Sequence, residues 1–491
     1  MIDLTWEPIQ RGLFHPRPWV RGLTVLGICL ALGIPVGAII GLLGGVYGSA
    51  ALIALVTGYL MLRSITVGIM VLIGIIFLLP FAALPINIGF SPTFLDLALL
   101  AVFFVWVSRL VTRRAGEFIA ASPTGFVLAF VMLAMVSFVA GLSHAPLTSN
   151  VLRHFAEILL SILLFLLVIN NVRTRHQLRW IVIVLMVAGF ATALIGIGLY
   201  ILPTTLSTRL LSALQVVRYP AGDVLRFIED NPELPQRAIA TSVDPNVLGG
   251  TLIFVTTVTV AQMLCDRPLL PRRWLILMAF TMGICMVLTF SRGSFVGLGF
   301  ALFLLAALKY RRIFWIGLIF LAIMMLLPPT QAYVDHFFRG VRVEDQATQM
   351  RLGEYQDSLT LISRYPWFGV GFAGTPDIDT YLGVSSVYLL IAEEMGLVGL
   401  SAFLGAILAF FVRFARSRRA LQADPELEPI YLGTSLAVAG AMIGGIFDHY
   451  LFNLKFPHSS SLLWLVVGLA VTSTLLAGRS KRDRPATGEQ A

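Results

Sequence analysis

The residues best suited to chemistry in this 491-residue sequence are arginines that stand where hydrocarbon is expected. The stretch LTFSRGSFVGL, residues 288–298, sets Ser291, Arg292 and Gly293 between two apolar runs. A guanidinium stays charged at any physiological pH and is costly to bring near hydrocarbon. Its planar donors match phosphate oxygens. Gly293 and Ser294 leave the backbone open at the start of the next helix, where free N–H groups and the helix dipole favour an anion. The chemistry predicted here is anion binding. The competing reading is an arginine whose head snorkels to lipid phosphates.

Other polar groups recur at the edges of apolar runs. QRAIATSVDPNVLGG, residues 236–250, carries Arg237 ahead of an Asp244-Pro245 pair, a common N-cap and first-turn combination. Arg153, His154 and Glu157 open a further run, and the four-residue spacing of Arg153 and Glu157 suits a plain ion pair. Glu393 and Glu394 lie inside an apolar run, where a carboxylate is a functional candidate, unless neighbouring helices satisfy it or the helix breaks at Gly396. IFDHYLFNLKFPHSS, residues 446–460, gathers Asp448, His449, Lys455 and His458. The GxG of PWFGVGFAG has no strand–turn–helix context, so a dinucleotide fold is rejected. There is no Walker loop, so ATP-driven transport has no support, and no basic–aromatic signature, so no nucleic-acid partner is expected. Cys29, Cys265 and Cys285 show no metal-ligand spacing, so neither a metal nor another cofactor is expected.

The elements that must position these groups follow from composition. Hydrophobic residues make up 58% of the chain and charged residues 12%, against about 25% charged in soluble domains. The chain is expected to be an all-α polytopic membrane protein of about 12–14 spans, each needing about 20 apolar residues. Span starts fall near residues 24, 48, 66, 94, 123, 151, 178, 247, 273, 293, 312, 384, 429 and 459, and the second and tenth are short. No duplication of halves stands out. The N-terminal sequence lacks a removable signal, and the first span would direct insertion.

Basic residues fix an orientation. Arg63, Arg109/Arg113/Arg114, NVRTRHQLR, Arg272/Arg273, KYRR, RFARSRR and RSKRDR all fall on one side, which the positive-inside rule makes cytoplasmic together with both termini. The net charge of +9 needs no acidic partner on this account. The expected layout is an N-terminal bundle over 1–235, a second transmembrane region over 236–478, and a basic tail over 479–491. Two long loops, 203–245 and 329–383, then lie outside. Within the second, Leu352, Tyr355, Leu359 and Ile362 share one helical face, with Arg351, Glu354 and Asp357 opposite. This predicts an amphipathic helix that either lies on the outer membrane surface or packs on the spans.

Taken in order, these pieces resemble the O-antigen ligase/polymerase family, bacterial polytopic membrane glycosyltransferases of the GT-C type. The resemblance spans roughly residues 236–455. It rests on Arg237 before Asp244-Pro245-Asn246, on Ser291-Arg292-Gly293, on Arg351 upstream of PWFGVGF, and on YLLIAEEMGLVGL with Glu394, Gly396 and Gly399. It implies a metal-independent inverting enzyme in the bacterial inner membrane, active on the extracytoplasmic face. The donor would be a polyprenyl diphosphate-linked glycan and the acceptor a hydroxyl of a glycan or lipid, among membrane lipids. Ligase and polymerase are not distinguished. A lipid-linked oligosaccharide flippase or secondary transporter, and a non-catalytic envelope assembly partner, are the alternatives.

The implied diphosphate clamp is Arg292, then Arg237, Arg351 and Arg153, with Ser291, Gly293 and His458 beside it. The family carries His-Asn three residues before the Tyr of that last run, and the His is thought to act as base; here Ser385-Ser386 stand there. His449 beside Asp448 is the expected replacement, with His458 and Glu394 behind it.

Overall fold

The computed structural model describes residues 3–87, 89–114, 116–220, 224–311, 315, 346–374 and 383–482. The expected span near residue 312, much of the 329–383 loop and most of the basic tail lie outside them. The architecture is that of an all-α polytopic membrane protein: among the described residues, nine helices are long and apolar enough to cross a bilayer.

The chain divides into two compact units, residues 1–64 and 65–491. The first holds Asp3–Leu13 (α1) and Pro18–Arg63 (α2). The latter breaks at Gly44 (φ 78°), a conformation glycine adopts without Cβ strain. Gly48 then comes back against Ile40, so the arms Pro18–Leu42 and Tyr47–Arg63 form a helical hairpin.

The second unit begins with Ile65–Leu78 (α3), Phe94–Val111 (α4), Thr124–Gly141 (α5), Ser149–Asn171 (α6) and Arg175–Ile201 (α7). A short helix, Thr204–Ala213 (α8), and a two-residue hairpin, Arg226–Phe227 (β1) against Gln236–Arg237 (β2), occupy the first long loop. Then come Pro245–Leu264 (α9), Arg272–Leu288 (α10), Arg292–Leu308 (α11), Gln346–Arg364 (α12), Val387–Leu421 (α13), Leu427–Gly444 (α14) and Pro457–Arg482 (α15). Local chemistry sets several starts. Thr93 with Asp96 and Thr174 with Gln177 make capping boxes, and Asp244 caps α9 with Pro245 in its first turn.

Most of the apolar length of α9, α14 and α15 is buried, whereas α4 and α5 leave more than half of theirs to the surroundings. α15 packs on α6 and α14, and α14 on α9 and α11. At the α11–α14 crossing Gly297 and Gly440 sit against each other's carbonyls, an approach any side chain would block.

Successive spans alternate direction, so this unit has two ends. One carries ion pairs between basic turns and the α13–α14 turn: Arg175–Asp424 at 2.6 Å, Arg179–Glu426 at 3.3 Å and Lys309–Glu428 at 2.5 Å. The other carries the first turns of α9, α11 and α13, the α14–α15 turn and α12.

Helix α12 is amphipathic, and it meets the protein through Glu354, Tyr355, Ser358 and Leu361. Ser358 and Leu361 are fully buried, while Leu352 is 44% and Leu359 58% exposed. The apolar stripe faces outward together with Trp367, which is 68% exposed.

Candidate functional site

The Arg292 turn is built by its neighbours. α10 ends at Leu288, and Phe290 takes a positive φ of 50°, which turns the chain sharply into α11. Ser291 occupies the N-cap position without a side-chain cap bond, and its hydroxyl pairs instead with that of Ser294 at 2.9 Å, both buried. Gly249 lies against these two serines, and Gly293 lies against Phe447 and the Gly444 carbonyl. Arg237 braces the turn: its Nε donates to Thr289 O at 2.8 Å and its Nη2 to Asn246 Oδ1 at 2.7 Å. Next to it, Ala238 N donates to Leu288 O at 2.8 Å. Asp244 accepts from the amides of Asn246 and Val247 at 2.7 and 3.1 Å, fixing the start of α9 beside Arg237.

The α14–α15 turn closes over the same region. Asp448 is buried, and its Oδ1 accepts from the His449 amide at 2.8 Å, with the His449 ring Nδ1 3.5 Å from the same oxygen. Val387 N donates to both Gly445 O and Asp448 O, at 2.9 and 3.1 Å, tying this turn to the start of α13. The buried Tyr450 ring rests on Gly250, where no Cβ would fit. Burial pushes the Asp448 carboxyl above the usual carboxylate range; His449 and Arg351 oppose this and Asp244 adds to it. Phe447 against the Arg292 turn, Asp244, His449 and Arg351 thus all bear on one small region around Asp448.

α12 docks at its rim. Tyr355 donates its hydroxyl to Ser385 O at 3.2 Å and to Ile446 O at 3.4 Å. Glu354 Oε2 accepts from both the amide and the hydroxyl of Ser385, at 2.9 and 2.6 Å. Burial raises the Tyr355 phenol, and Arg351 pulls it back.

Ser291, Arg292, Gly293, Arg237, Arg351, Asp448 and His449 therefore belong to one end and one neighbourhood. The other sequence candidates have different surroundings. Arg153 pairs with Asp96 of α4 at 2.8 Å, closer than its expected partner Glu157 at 3.7 Å. His458 is fully buried between Phe81 and Phe456, at ring separations of 5.2 and 6.2 Å, and neither ring nitrogen has a hydrogen-bond partner among the described residues. Glu394 sits at a break in α13, where Gly396 takes φ 68° and ψ −178°. The PWFGVGF segment fills that break. Val370 N donates to Glu393 O, Gly371 N to Glu394 O and Leu397 N to Pro366 O, at 2.8, 3.0 and 2.7 Å. Ser137 of α5 donates to Glu394 O as well. The glycines of that segment and Gly396 are thus a docking joint, because Gly369 meets the Glu393–Met395 backbone and Gly396 meets Trp367.

Three elements escaped sequence reasoning: the Ser385–Glu354 contact, the Gly249-Gly250 seat and the Asp96 partner of Arg153. The only signal for the second was the adjacent glycine pair in an otherwise bulky span. No group of three or more metal-ligating side chains occurs among the described residues.

A helical membrane protein with arginines and an Asp–His pair gathered at one end is suited to holding a multiply charged anion beside a group that can accept a proton. Residues 277–404, from within α10 through the first half of α13, match the O-antigen ligase family model. That segment contains Arg292, Arg351 and Glu394, and its match supports an O-antigen ligase assignment for this region of the chain. No curated protein matches the chain.

Proposed function

We propose that the protein transfers a glycan from a polyprenyl diphosphate carrier to a hydroxyl of a glycan or lipid acceptor, on the extracytoplasmic face of the bacterial inner membrane. The observation that carries this reading is the shared neighbourhood of the Arg292 turn, the Asp448–His449 pair and Arg351.

The donor is a membrane lipid, so its diphosphate sits at the end of the spans. Arg292 stands at the first turn of α11, where the backbone N–H groups and helix dipole reinforce its charge. Arg351 adds a second cation from α12, and Arg237 holds the turn that presents Arg292. As the acceptor oxygen forms its bond to the anomeric carbon, the bond to the diphosphate breaks and the electron pair leaves on phosphate oxygen. Fixed cations that meet this developing charge lower the barrier. The acceptor proton passes to His449, whose ring Nδ1 lies 3.5 Å from the Asp448 carboxylate that would balance its charge. Attack opposite the leaving group inverts the anomeric centre.

The broken α13 with two buried carboxylates is a feature a transporter would also use. Here, however, the backbone of residues 366–371 hydrogen-bonds into the break. Purified protein supplied with lipid-linked glycan separates the readings. Polyprenyl diphosphate released together with a new glycosidic bond is the expected outcome. Donor that crosses a vesicle unchanged would establish transport instead.

A further inference from the structure

We propose that Glu354, held by Ser385, is a binding site for a sugar hydroxyl, and that it fixes the direction in which the glycan lies across the site. The proposal rests on the glycosyl-transfer reading above and goes beyond it.

The carboxylate is built for this. Its Oε2 takes two hydrogen bonds from one residue, the amide and the hydroxyl of Ser385, so the group is locked in orientation. Among the described residues these are its only hydrogen bonds, and Oε1 keeps its acceptor capacity. The next residue, Tyr355, clamps the helix to Ser385 O and Ile446 O, two residues before Asp448. Arg351 lies three residues earlier on the helix, near enough to act on both Tyr355 and Asp448. A cation and a fixed carboxylate one turn apart make a donor–acceptor pair. Neighbouring hydroxyls of a sugar, each of which donates and accepts, complement such a pair.

Charge sets the polarity. A carboxylate repels a diphosphate, so the phosphates belong at the Arg292 turn and the neutral polyhydroxylated portion belongs beside Glu354. That portion can come from the donor glycan or from the acceptor glycan, and the chemistry of recognition is the same for both.

The test uses the full-length protein in detergent or nanodiscs with a polyprenyl diphosphate-linked oligosaccharide as donor and a free oligosaccharide as acceptor. It follows two products: the transferred glycan and the glycan released to water. Loss of a hydrogen bond to a charged group corresponds to roughly 10- to 100-fold in binding. If the acceptor is held, Glu354→Gln raises the acceptor KM by about that factor while hydrolysis of the donor continues at the wild-type rate. If the donor glycan is held, the donor KM rises in both reactions with kcat retained. Gln356→Ala, on the exposed side of the same helix, leaves the carboxylate and its two bonds in place, and it should leave the KM that Glu354→Gln changes close to wild type. The proposal is overturned if Glu354→Gln leaves both KM values unchanged, if it lowers kcat alone, or if Gln356→Ala reproduces its effect. Absence of any transfer by the wild-type protein would instead refute the glycosyl-transfer reading, so the two failures are distinguishable.

Discussion

Arg292 is held by what surrounds it more than by its own sequence neighbours. Small residues at 249, 293 and 294 let α9, α11 and the α14–α15 turn close around its backbone. Replacing one cation that meets developing charge costs on the order of 10²–10³ in kcat. Arg292→Ala should therefore lower transfer by that factor, and Arg292→Lys should recover part of it, because a point charge lacks the planar fork. Product formation at saturating donor checks both. Acidity gives a second test. Burial raises the Asp448 carboxyl, so it takes up its proton at a higher pH than an ordinary aspartate, near 4. Only the ionised form supports the charge that His449 gains as it accepts the proton. On acidification the rate should thus fall before an ordinary aspartate would be protonated, and Asp448→Asn should be slow at every pH. A wild-type rate that is flat down to the ordinary aspartate value would exclude the assignment. At this scale the sequence was legible where partners are close in the chain, as with Asp448 and His449 or Asp244 and Pro245. It was not legible for Arg153, whose nearest carboxylate belongs to Asp96 on another helix.

Among the elements, the apolar runs declared themselves. Each expected span start, except that near residue 312, falls within a few residues of a helix or helix arm, and the two expected to be short are Tyr47–Arg63 and Arg292–Leu308. Hydrocarbon length is a strong signal because an unpaired backbone cannot cross lipid. Periodicity marked the apolar stripe of α12 without saying whether protein or lipid covers it. Leu352 and Leu359 face outward because Glu354 and Tyr355 have bonding partners on Ser385 and Ile446. The joint at Gly396 is the element most open to test. A side chain there would suffer both an extended positive-φ backbone and overlap with Trp367. Such backbone strain costs about 1–3 kcal/mol before the overlap is counted. Gly396→Ala should detach PWFGVGF from α13, lower the thermal midpoint in detergent and expose the segment to protease. Leu397→Met, on the exposed side of the same turn, keeps the backbone bond to Pro366 and should do neither, which makes the pair a controlled comparison.

For the whole molecule, the question is which end faces out. The Arg292 end carries Arg237, Arg292 and Arg351, and the opposite end holds the basic turns paired with Asp424, Glu426 and Glu428. Translocation disfavours lysine and arginine in short loops, so the paired basic end should remain cytoplasmic and the site should face outward. On the proposed function this matters for mechanism, because a carrier lipid loaded with glycan would have to meet the arginines on the side where its headgroup lies. Single cysteines report it directly. Cys265 and Cys285 are buried and Cys29 is exposed, so Cys29→Ser gives a quiet background. In that background Glu233→Cys, exposed at the Arg292 end, should react with a membrane-impermeant maleimide on intact spheroplasts. Gln422→Cys, exposed at the basic end, should react only after permeabilisation. The reverse pattern would put the arginines in the cytosol, where the positive-inside argument, the outward transfer and the orientation of the donor would all fail together.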